Sequence, residues 1–375
     1  MKLLIIGGKL QGIEAAYLAR RAGWNVHLID RRADAPARYM ADLFYSFDVL
    51  EEPHLLETAM KSADVIIPAI EDDAVLAAVF ETAERVERRI IFHPAAYEVS
   101  SSKLKSNELL ATLPVVIPAK GNKGVYPLIA KPSGESGSRG VRKIRNKEEW
   151  EQFTQEVPDY LEWVVEEYVE GPSYSIEVIG HSGQYRTFQI TELYMDEIYD
   201  CCRVVAPAEL PPYLRDRLSE YAITIASRLE LEGIMDVEVI LARGQLYVLE
   251  IDARIPSQTP ITVLNSSGVN LLEHYVSMDS VISPGHHTRM EPLRHVLYEH
   301  ILVTPEGVKI CGEHIMGNRG PLYHQQGFFG ADEAITDYNA ALPDRAWAAT
   351  LIITAENRES LMAREKQITE NIKNR

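Results

Sequence analysis

The sequence is poor in cysteine, in positive charge and in long apolar runs, and each shortage excludes a class of protein. Its three cysteines, Cys201, Cys202 and Cys311, cannot form a disulfide framework, and no C-x-x-C or C-x-x-H spacing indicates zinc. A formal net charge of −17 argues against a nucleic-acid or anionic-membrane partner. No apolar run approaches the ~18 residues of a membrane span, and the first residues do not resemble a signal peptide. We therefore expect a reduced, cytoplasmic protein.

The remaining composition is that of a globular enzyme with two or three subdomains in 375 residues. Residues 1–95 alternate short, continuous apolar runs with amphipathic segments, which predicts about four buried parallel strands in a doubly wound α/β unit. Beyond residue 95 the pattern changes to hairpins, with turns near 133–140 and at Arg243-Gly244. The fold class is therefore predicted as α/β followed by α+β.

The first candidate site is the glycine turn after the first strand, from Gly7 to Gly12. Its place between a strand and a helix, with Asp30 at the end of the next strand, is typical of a nicotinamide site. However, Lys9 stands where the middle glycine must let the backbone approach a pyrophosphate. A nicotinamide-dependent dehydrogenase therefore remains only as an alternative function.

The second candidate is a glycine- and serine-rich segment that follows Lys131, "KPSGESGSRG" at 131–140. Such a loop offers many unobstructed backbone N–H groups, and the lysine adds a point charge, so the pattern favours phosphate binding. The alternative is an ordinary flexible hairpin. Downstream, Glu166 and Glu167 end an apolar strand, for which the alternative is a half-exposed strand without function.

The third candidate is a hairpin that carries Glu238 on one strand and Glu250, Asp252 and Arg254 on the other. The two-residue spacing puts Glu250, Asp252 and Arg254 on one face of the sheet, and the Gly244 turn brings Glu238 opposite them. Carboxylates crowded among apolar neighbours repel unless a cation lies between them, and Mg²⁺ accepts such oxygen ligands. An exposed acidic face without a metal is the alternative.

In this order, the motifs resemble those of the ATP-grasp superfamily, over residues 2 to about 272. The resemblance implies a Rossmann-like N-terminal domain at 1–95 that helps to hold the substrate. It further implies an ATP-grasp fold with a central lid subdomain at 96–170 and a C-terminal subdomain with the catalytic carboxylates at 171–375. The cofactors would be ATP and Mg²⁺, with two ions. In such proteins the degenerate glycine turn does not bind NAD.

The resemblance also implies residue roles. ATP would contact two lysines, the glycine loop, the end of the strand that binds the adenine, and an acid near the ribose or the lid. These residues are Lys103, Lys131, Ser133, Gly134, Ser136, Gly137, Ser138, Glu166, Glu167, Val169 and Glu177. The metal ligands would be Glu238, Glu250 and Asp252. Arg254 and Lys131 would stabilise the transferred phosphoryl group.

Longer strings resemble one family within the superfamily, the 3-methylornithine–lysine ligases of pyrrolysine biosynthesis. They include "GGKLQGIEAAYLARRAG", "EEYVEG", "GIMDVE", "EIDARIPSQTP" and "SSGVNLLEH". The resemblance implies that the carboxylate of 3-methyl-D-ornithine is activated as an acyl phosphate and joined to the ε-amine of L-lysine. The partners would be these small molecules, with no nucleic acid or membrane; the oligomeric state is not predicted.

The substrate residues implied are Lys9, Leu10, Gln11, Asp200, Asp236, Arg254 and Ser257, with Glu177 as a further acceptor for an amine. For Asp200 the alternative is a plain turn residue, and for Asp236 a packing role on the sheet face opposite Glu238. Another ATP-grasp ligase or a carboxylase is the alternative function. Gln258 counts against a carboxylase, since many of those carry an acid at that position.

Overall fold

A computed structural model describes residues 1–122, 124–278, 293–342 and 345–374. Its N-terminal sheet is parallel, with the order β3-β2-β1-β4-β5. The strands are β1 (Lys2–Ile6), β2 (Asn25–Asp30), β3 (Leu43–Ser46), β4 (Val65–Pro68) and β5 (Arg89–Ile90), and the helices are α1 (Leu10–Arg21), α2 (Pro53–Lys61) and α3 (Asp73–Arg85). The prediction of about four strands missed β3, because this short edge strand is half exposed and lacks a continuous apolar run.

The second sheet is a small antiparallel one with the order β7-β6-β8. Its strands are β6 (Leu128–Pro132), β7 (Arg142–Ile144) and β8 (Trp163–Glu167), and the nearby helices are α4 (Pro94–Ser100), α5 (Lys103–Leu110) and α6 (Lys147–Glu156). The predicted hairpin around the glycine loop is confirmed, since β6 and β7 pair antiparallel. Aromatic rings that pack against one another hold this sheet to α6. They belong to Trp150, Phe153, Tyr160 and Trp163.

The third sheet has eleven strands, with the main order β14-β13-β9-β11-β12-β15-β19-β18-β17. The strands are β9 (Ser173–His181), β10 (Gln184–Thr187), β11 (Thr191–Met195), β12 (Cys201–Ala206), β13 (Gly233–Ala242), β14 (Gln245–Asp252), β15 (His295–Thr304), β16 (Gly307–Ile310), β17 (Tyr323–Gln326), β18 (Glu333–Thr336) and β19 (Trp347–Ala355). The helices are α7 (Pro212–Arg228), α8 (Thr259–Ser267), α9 (Leu271–Ser277), α10 (His314–Gly317) and α11 (Arg358–Lys373). Within the described residues, no helix combines the length and the apolar character needed to cross a membrane.

A shared core joins the N-terminal sheet to the eleven-stranded sheet. Leu18 of α1, Ile261 of α8 and Tyr298 of β15 belong to one buried apolar cluster. Within it, the Glu14 carboxylate of α1 accepts a 2.6 Å hydrogen bond from the backbone N–H of Ile261, in the first turn of α8. An acid near a helix N-terminus stabilises the helix, so this contact fixes the glycine turn relative to the large sheet.

A buried ion-pair cluster, called here the Glu333 cluster, strengthens the same junction. Glu333 of β18 accepts hydrogen bonds from the Tyr17 hydroxyl (2.7 Å) and Arg21 Nη1 (2.6 Å) of α1. His324 Nε2 lies 2.7 Å from the same carboxylate. Burial opposes ionisation here, but the hydrogen bonds from His324 and Tyr17 prevail and lower the pKa of Glu333 to about 2. The cluster therefore contains an ionised carboxylate at neutral pH.

Candidate active site

Two rows of polar side chains cross neighbouring strands β9, β13 and β14. In register, the first row is Glu177–Asp236–Asp252 and the second is Ser175–Glu238–Glu250. The prediction of a common face for Glu250, Asp252 and Glu238 is confirmed, since all three line one cavity. The alternative that Asp236 points to the opposite face from Glu238 is wrong: residues two apart in a strand share a face, and Asp236 lines the same cavity.

A β-bulge in β14 lies beside these rows. Glu238 pairs with Glu250 but Val239 pairs with Val248, so Leu249 is the extra residue. Leu249 and Glu250 consequently both line a larger cleft beside this cavity. Val248 and Ile251, on either side of them, are buried in the core. The bulge thus places an apolar side chain next to a carboxylate on the same side of the strand.

The crowded acids suit a divalent cation. Burial, followed by the charge of neighbouring carboxylates, raises the pKa of Glu238 well above its usual range. Burial also raises the pKa of Asp252, against the influence of Arg254, and the pKa of Asp236 to about 7. Asp236 Oδ1 is buried without a hydrogen-bond partner. Hard carboxylate oxygens in a low-dielectric pocket fit Mg²⁺, which would displace the protons that these acids otherwise hold.

A further group of potential metal ligands among the described residues lies at the β11–β12 turn. Ligand atoms of Asp196, Asp200 and His314 lie within 4.8 Å of one another. These acids are already engaged: Asp196 accepts from the backbone N–H of Gly312 (3.1 Å), and Asp200 contacts the His314 ring and its backbone N–H. The cluster therefore holds a loop in place without needing a cation.

Two cations face the carboxylate rows. Lys103 Nζ lies 2.7 Å from Glu250 Oε1, and although burial opposes it, Glu250 raises the pKa of Lys103. Arg254 Nη2 lies 3.2 Å from Asp252 Oδ2, and Arg254 Nε lies 2.8 Å from Glu71 Oε1. Burial would lower the pKa of Arg254, but Asp252 and Glu71 raise it. Both groups are therefore permanently charged at this site.

The glycine loop is closed over the site by three hydrogen bonds. Lys103 Nζ donates to the Glu135 carbonyl (2.6 Å), Ser136 donates to Glu71 (2.5 Å) and Ser138 donates to the Tyr199 carbonyl (2.5 Å). The loop thus contacts its own subdomain, the N-terminal domain and the β11–β12 turn. Within this loop, Gly137 and Ser138 line the cavity; Ser133 instead accepts from the Leu104 N–H, and Gly134 lies in open space.

Lys131, at the base of the loop, forms a buried pair. Its Nζ lies 2.6 Å from Glu166 Oε1, with 14% and 4% of the two side chains exposed. Glu166 Oε2 is 3.5 Å from Asn107 Nδ2. Lys131, predicted to contact phosphate, and Glu166, predicted to contact adenine, therefore contact each other. Both line the larger cleft.

This cleft has a volume of about 530 Å³, in the range of sites for nucleotide-sized ligands. Its apolar walls come from Ile129, Val169, Leu193, Ile240 and Leu249, and Glu238 and Glu250 also line it. Glu167 also lines it, but its backbone N–H already donates to Ala119 (2.8 Å), so only its carbonyl could contact a base. The cleft thus combines apolar walls with acidic side chains.

A second cavity, of about 100 Å³, shares the lining residues Glu238 and Glu250 with this cleft. Asp200, Ser257 and Arg254, all predicted as substrate residues, line it with Asp236. Glu313 completes the wall. Burial raises the pKa of Glu313, against hydrogen bonds from the Ser257 and Gln258 side chains, which lower it.

The glycine turn reaches this region through one residue. Gln11 Nε2 donates to Glu71 Oε1 (2.7 Å), whereas Lys9 is exposed and Leu10 lies against Gly317, so Lys9 and Leu10 line neither cavity. That Lys9, Leu10 and Gln11 close the other side of the substrate pocket stays a prediction. Asp30 accepts the Gly8 N–H (2.7 Å). In a nicotinamide site, the acid at the end of the second strand would bind a ribose. Here that acid is already hydrogen bonded to the glycine turn, so the dehydrogenase alternative loses its support.

Glu177 also requires a correction. It is fully buried in the row with Asp236, and it does not line the nucleotide-sized cleft. This burial argues against a ribose contact, and it raises the pKa of Glu177 to about 7. Sequence reasoning missed Glu71 and Glu313, which both lie in loops. The local signal for Glu71 was its position directly after the "IIPAI" strand; Glu313 had no such signal.

Comparisons with known proteins show the family and the fold of this chain. A family model described as "PylC-like, N-terminal domain" matches residues 3–91, and an "ATP-grasp domain" model matches residues 100–258. The fold is similar to the biotin carboxylase domain of 2-oxoglutarate carboxylase from Hydrogenobacter thermophilus, solved with MgADP, ADP and bicarbonate. The TM-score is 0.73 at 19% identity, covering 98% of this chain and 89% of that one. This likeness confirms the predicted ATP-grasp fold.

Curated relatives are similar over most of their length. The 3-methyl-D-ornithine–L-lysine ligase of Methanosarcina mazei is 37% identical over 327 residues, covering 86% of this chain and 85% of the relative. The ligase of the same name from Methanosarcina acetivorans is 38% identical over 327 residues, covering 86% of each chain. These names favour the ligase prediction over the carboxylase alternative. The chain belongs to the ATP-grasp ligases, in the family of the 3-methyl-D-ornithine–L-lysine ligases.

Proposed function

We propose that this chain joins the carboxylate of 3-methyl-D-ornithine to the ε-amine of L-lysine at the expense of ATP. The observation that carries the proposal is the pair of carboxylate rows facing Lys103 and Arg254, at the junction of a nucleotide-sized cleft and a smaller acidic cavity. The curated relatives of that name support the choice of substrates. We place the reaction in the cytoplasm, as a metabolic step of pyrrolysine biosynthesis.

In the first step, a carboxylate oxygen of 3-methyl-D-ornithine attacks the γ-phosphorus of ATP, the bond to the β-phosphate oxygen breaks, and ADP leaves. In the second, the ε-amine of lysine attacks the acyl carbon, the carbon–oxygen bond to phosphate breaks, and an amide forms. The amine loses one proton, which the departing phosphate or Asp236 accepts. Catalysis here is mainly positioning and charge neutralisation.

Each group of side chains has a place in this scheme. Glu238, Glu250 and Asp252 would hold two Mg²⁺, which neutralise phosphate charge when bound. Lys131, Lys103 and Arg254 would add positive charge around the transferred phosphoryl group. The bonds of Ser136 and Ser138 to the facing walls would keep water from the acyl phosphate. In this scheme, residues 96–170 act as the lid over the carboxylates of 171–375.

The test is product formation by the purified chain. Incubation with ATP, MgCl₂, L-lysine and 3-methyl-D-ornithine should release ADP and give a product whose mass is the sum of the two amino acids less one water. Omitting either amino acid, or replacing lysine by Nε-acetyllysine, should abolish the product. ADP release that depends on bicarbonate rather than on the two amino acids would overturn the proposal.

A further inference from the structure

The C-terminal helix α11 lies outside residues 3–91 and 100–258, which the family models match, yet its first residue reaches the wall of the nucleotide-sized cleft. Arg358 binds the Glu192 carboxylate of β11 with two hydrogen bonds: Nη1 lies 2.9 Å from Oε1, and Nη2 lies 2.6 Å from Oε2. Arg358 Nη2 also donates to the Tyr194 hydroxyl (2.7 Å), two residues further along β11. Glu192 and Tyr194 both line the cleft, so the helix is connected to the nucleotide site.

Glu192 is fully engaged by these contacts. Its Oε1 also accepts from the backbone N–H of Glu209 (2.8 Å), and its Oε2 from the Tyr194 hydroxyl (2.8 Å). Only 10% of the Glu192 side chain is exposed. Burial opposes ionisation, but the hydrogen bonds from Arg358 and the Glu209 N–H prevail and lower the pKa of Glu192. An ionised carboxylate with four donors supports its neighbours in β11 and does not need a ligand to satisfy it.

Tyr194 is the side chain that this support holds. Its hydroxyl lies between Glu192 and Arg358, and the Arg203 guanidinium of β12 lies over its ring, 6.0 Å from the centroid. Arg203 in turn lies 3.9 Å from Glu365 of the same helix α11. Tyr194 nevertheless remains 38% exposed. A large side chain that is held both at its hydroxyl and at its ring is presented to the cleft in one orientation.

Strand pairing indicates which part of a nucleotide lies near Tyr194. Thr191 of β11 pairs with Ser175 and so extends the row that contains Glu238 and Glu250. Tyr194 is three residues further along the strand, ~10 Å from that row. In the same direction, residues 169–172 also line the cleft, after the strand end predicted to contact the adenine. Tyr194 therefore lies on the nucleoside side of the carboxylates proposed to hold Mg²⁺.

The rest of α11 is held by contacts of a different kind. Leu361, Ile368 and Ile372 belong to a buried apolar cluster with residues of β15, β18 and β19, and the members of that cluster do not line the cleft. Arg364 Nη1 lies 3.0 Å from Asp332 Oδ2, in the segment before β18. Because these contacts already anchor the helix, the bonds of Arg358 to β11 have a separate consequence, which is the fixed position of the cleft wall.

We propose that Arg358 is a positioning residue for ATP binding, which holds Glu192 and Tyr194 so that the β11 wall is formed before the nucleotide arrives. Without Arg358, binding of the nucleoside would have to order these side chains, and affinity would fall by the entropy that this ordering costs. The inference depends on the ATP of the proposed function but not on the two amino acids that the enzyme joins.

The experiment measures nucleotide affinity in the absence of amino acids. Calorimetric titration with Mg-ADP should show binding about tenfold weaker for Arg358→Met than for wild type, because two side chains lose their fixed positions. In steady-state assays the KM for ATP should rise by a similar factor, while kcat and the KM of each amino acid stay within twofold. Arg364→Met is the matched control, since it removes an ion pair from the same helix; it should lower the melting temperature but keep the affinity for Mg-ADP.

Two further variants test whether Arg358 acts through Tyr194. Tyr194→Phe removes the hydroxyl that Arg358 and Glu192 hold, and it should weaken Mg-ADP binding in the same direction. Arg358→Met combined with Tyr194→Phe should bind Mg-ADP no more weakly than Arg358→Met alone, because the two residues act in one contact. Arg358→Lys keeps the charge but not the paired donors, so it should weaken binding by about threefold and replaces Arg358→Met if that variant does not fold.

The outcomes separate this inference from the proposed function. Mg-ADP binding by Arg358→Met and Arg358→Lys within 1.5-fold of wild type overturns the positioning role. An equal loss of affinity in Arg364→Met shows a general effect of helix stability and also overturns it, and so do additive losses in the double variant. Weak Mg-ADP binding that is confined to the Arg358 and Tyr194 variants of a chain that forms no ligation product supports the positioning role and overturns the proposed ligation alone.

Discussion

The substitution Glu250→Gln separates the catalytic from the structural role of the carboxylate rows. Gln keeps an oxygen acceptor for Lys103, whose Nζ is 2.7 Å from Glu250 and 2.6 Å from the Glu135 carbonyl. The change from a charge-assisted to a neutral hydrogen bond costs about 1 kcal/mol. It also removes repulsion with Glu238, whose pKa its neighbouring carboxylates raise. Because the two effects oppose each other, the melting temperature should change by less than about 4 °C.

Activity should respond very differently. A carboxylate proposed to hold Mg²⁺ cannot be replaced by a neutral amide without losing electrostatic stabilisation of the transferred phosphoryl group. Removal of one such interaction costs ~1,000-fold in kcat/KM, or about 4 kcal/mol. The variant should also need a much higher Mg²⁺ concentration for half-maximal turnover and show a smaller thermal shift with Mg-ATP.

The assay is ADP release with both amino acids, together with product mass and thermal unfolding at several Mg²⁺ concentrations. The matched control is Glu98→Gln, because Glu98 also lies 2.7 Å from a lysine, Lys105, but on the exposed surface between α4 and α5. It should keep full activity. Turnover of Glu250→Gln within tenfold of wild type at the same Mg²⁺ concentration would refute the metal assignment, and a fall in melting temperature above 10 °C would refute the reasoning on stability.

Three further predictions follow from the packing and charges. Gly12→Ala should lower the free energy of unfolding by about 1–3 kcal/mol, measured by urea denaturation, because a Cβ there would lie 2.2 Å from a backbone oxygen of the glycine turn. Glu333→Gln should cost about 3 kcal/mol at pH 7, from a pKa of about 2 against the ordinary 4.5. This stabilisation is complete above pH 4.5 and is lost as the pH falls towards 2, so the difference from wild type should shrink in urea denaturation between pH 5 and 2.5. Lys131→Met should weaken ATP binding by calorimetry and destabilise the fold by about 3 kcal/mol, because Glu166 is left buried and unpaired.

Each of these has a discriminating control. Gly134→Ala should leave stability unchanged, since nothing lies within 4 Å of its added Cβ; an equal loss in both glycine variants would contradict the packing argument. A difference between wild type and Glu333→Gln that stays constant down to pH 2.5 would contradict the ionised cluster. Adding Glu166→Gln to Lys131→Met should restore stability but not ATP affinity, and recovery of both would show that Lys131 does not contact the nucleotide.

Local sequence was sufficient for most of the elements, though not for β3 and α4, and for residues that share a strand. Glu250, Asp252 and Arg254 follow a two-residue period, so their common face was predictable, and the Gly244 turn placed Glu238 opposite them. The error on Asp236 came from misapplying that same period. The bulge at Leu249 could not be predicted, because it depends on which residues pair across the hairpin.

The residues that sequence reasoning missed are brought together by tertiary structure alone. Glu71 lies 65 positions before Ser136, to which it is hydrogen bonded, and Glu313 follows the last family-model residue by more than fifty positions. Neither residue lies in a strand or helix whose repeat would predict the direction of its side chain. Glu177 was misplaced for a related reason: its strand was recognised, but its neighbour Asp236 becomes known only from the pairing of β9 with β13.

The rows on β13 also fix distances along the sheet. Ile240 lines the nucleotide-sized cleft, Glu238 lines both the cleft and the second cavity, and Asp236 lines the second cavity. Successive residues on one face of a strand are ~6.7 Å apart, so the spacing of these three zones is set by the backbone repeat and not by any side chain. A related protein could therefore have another residue in place of Asp236, and with it another preferred amino acid. The distance between the nucleotide base and the reacting phosphate would stay the same.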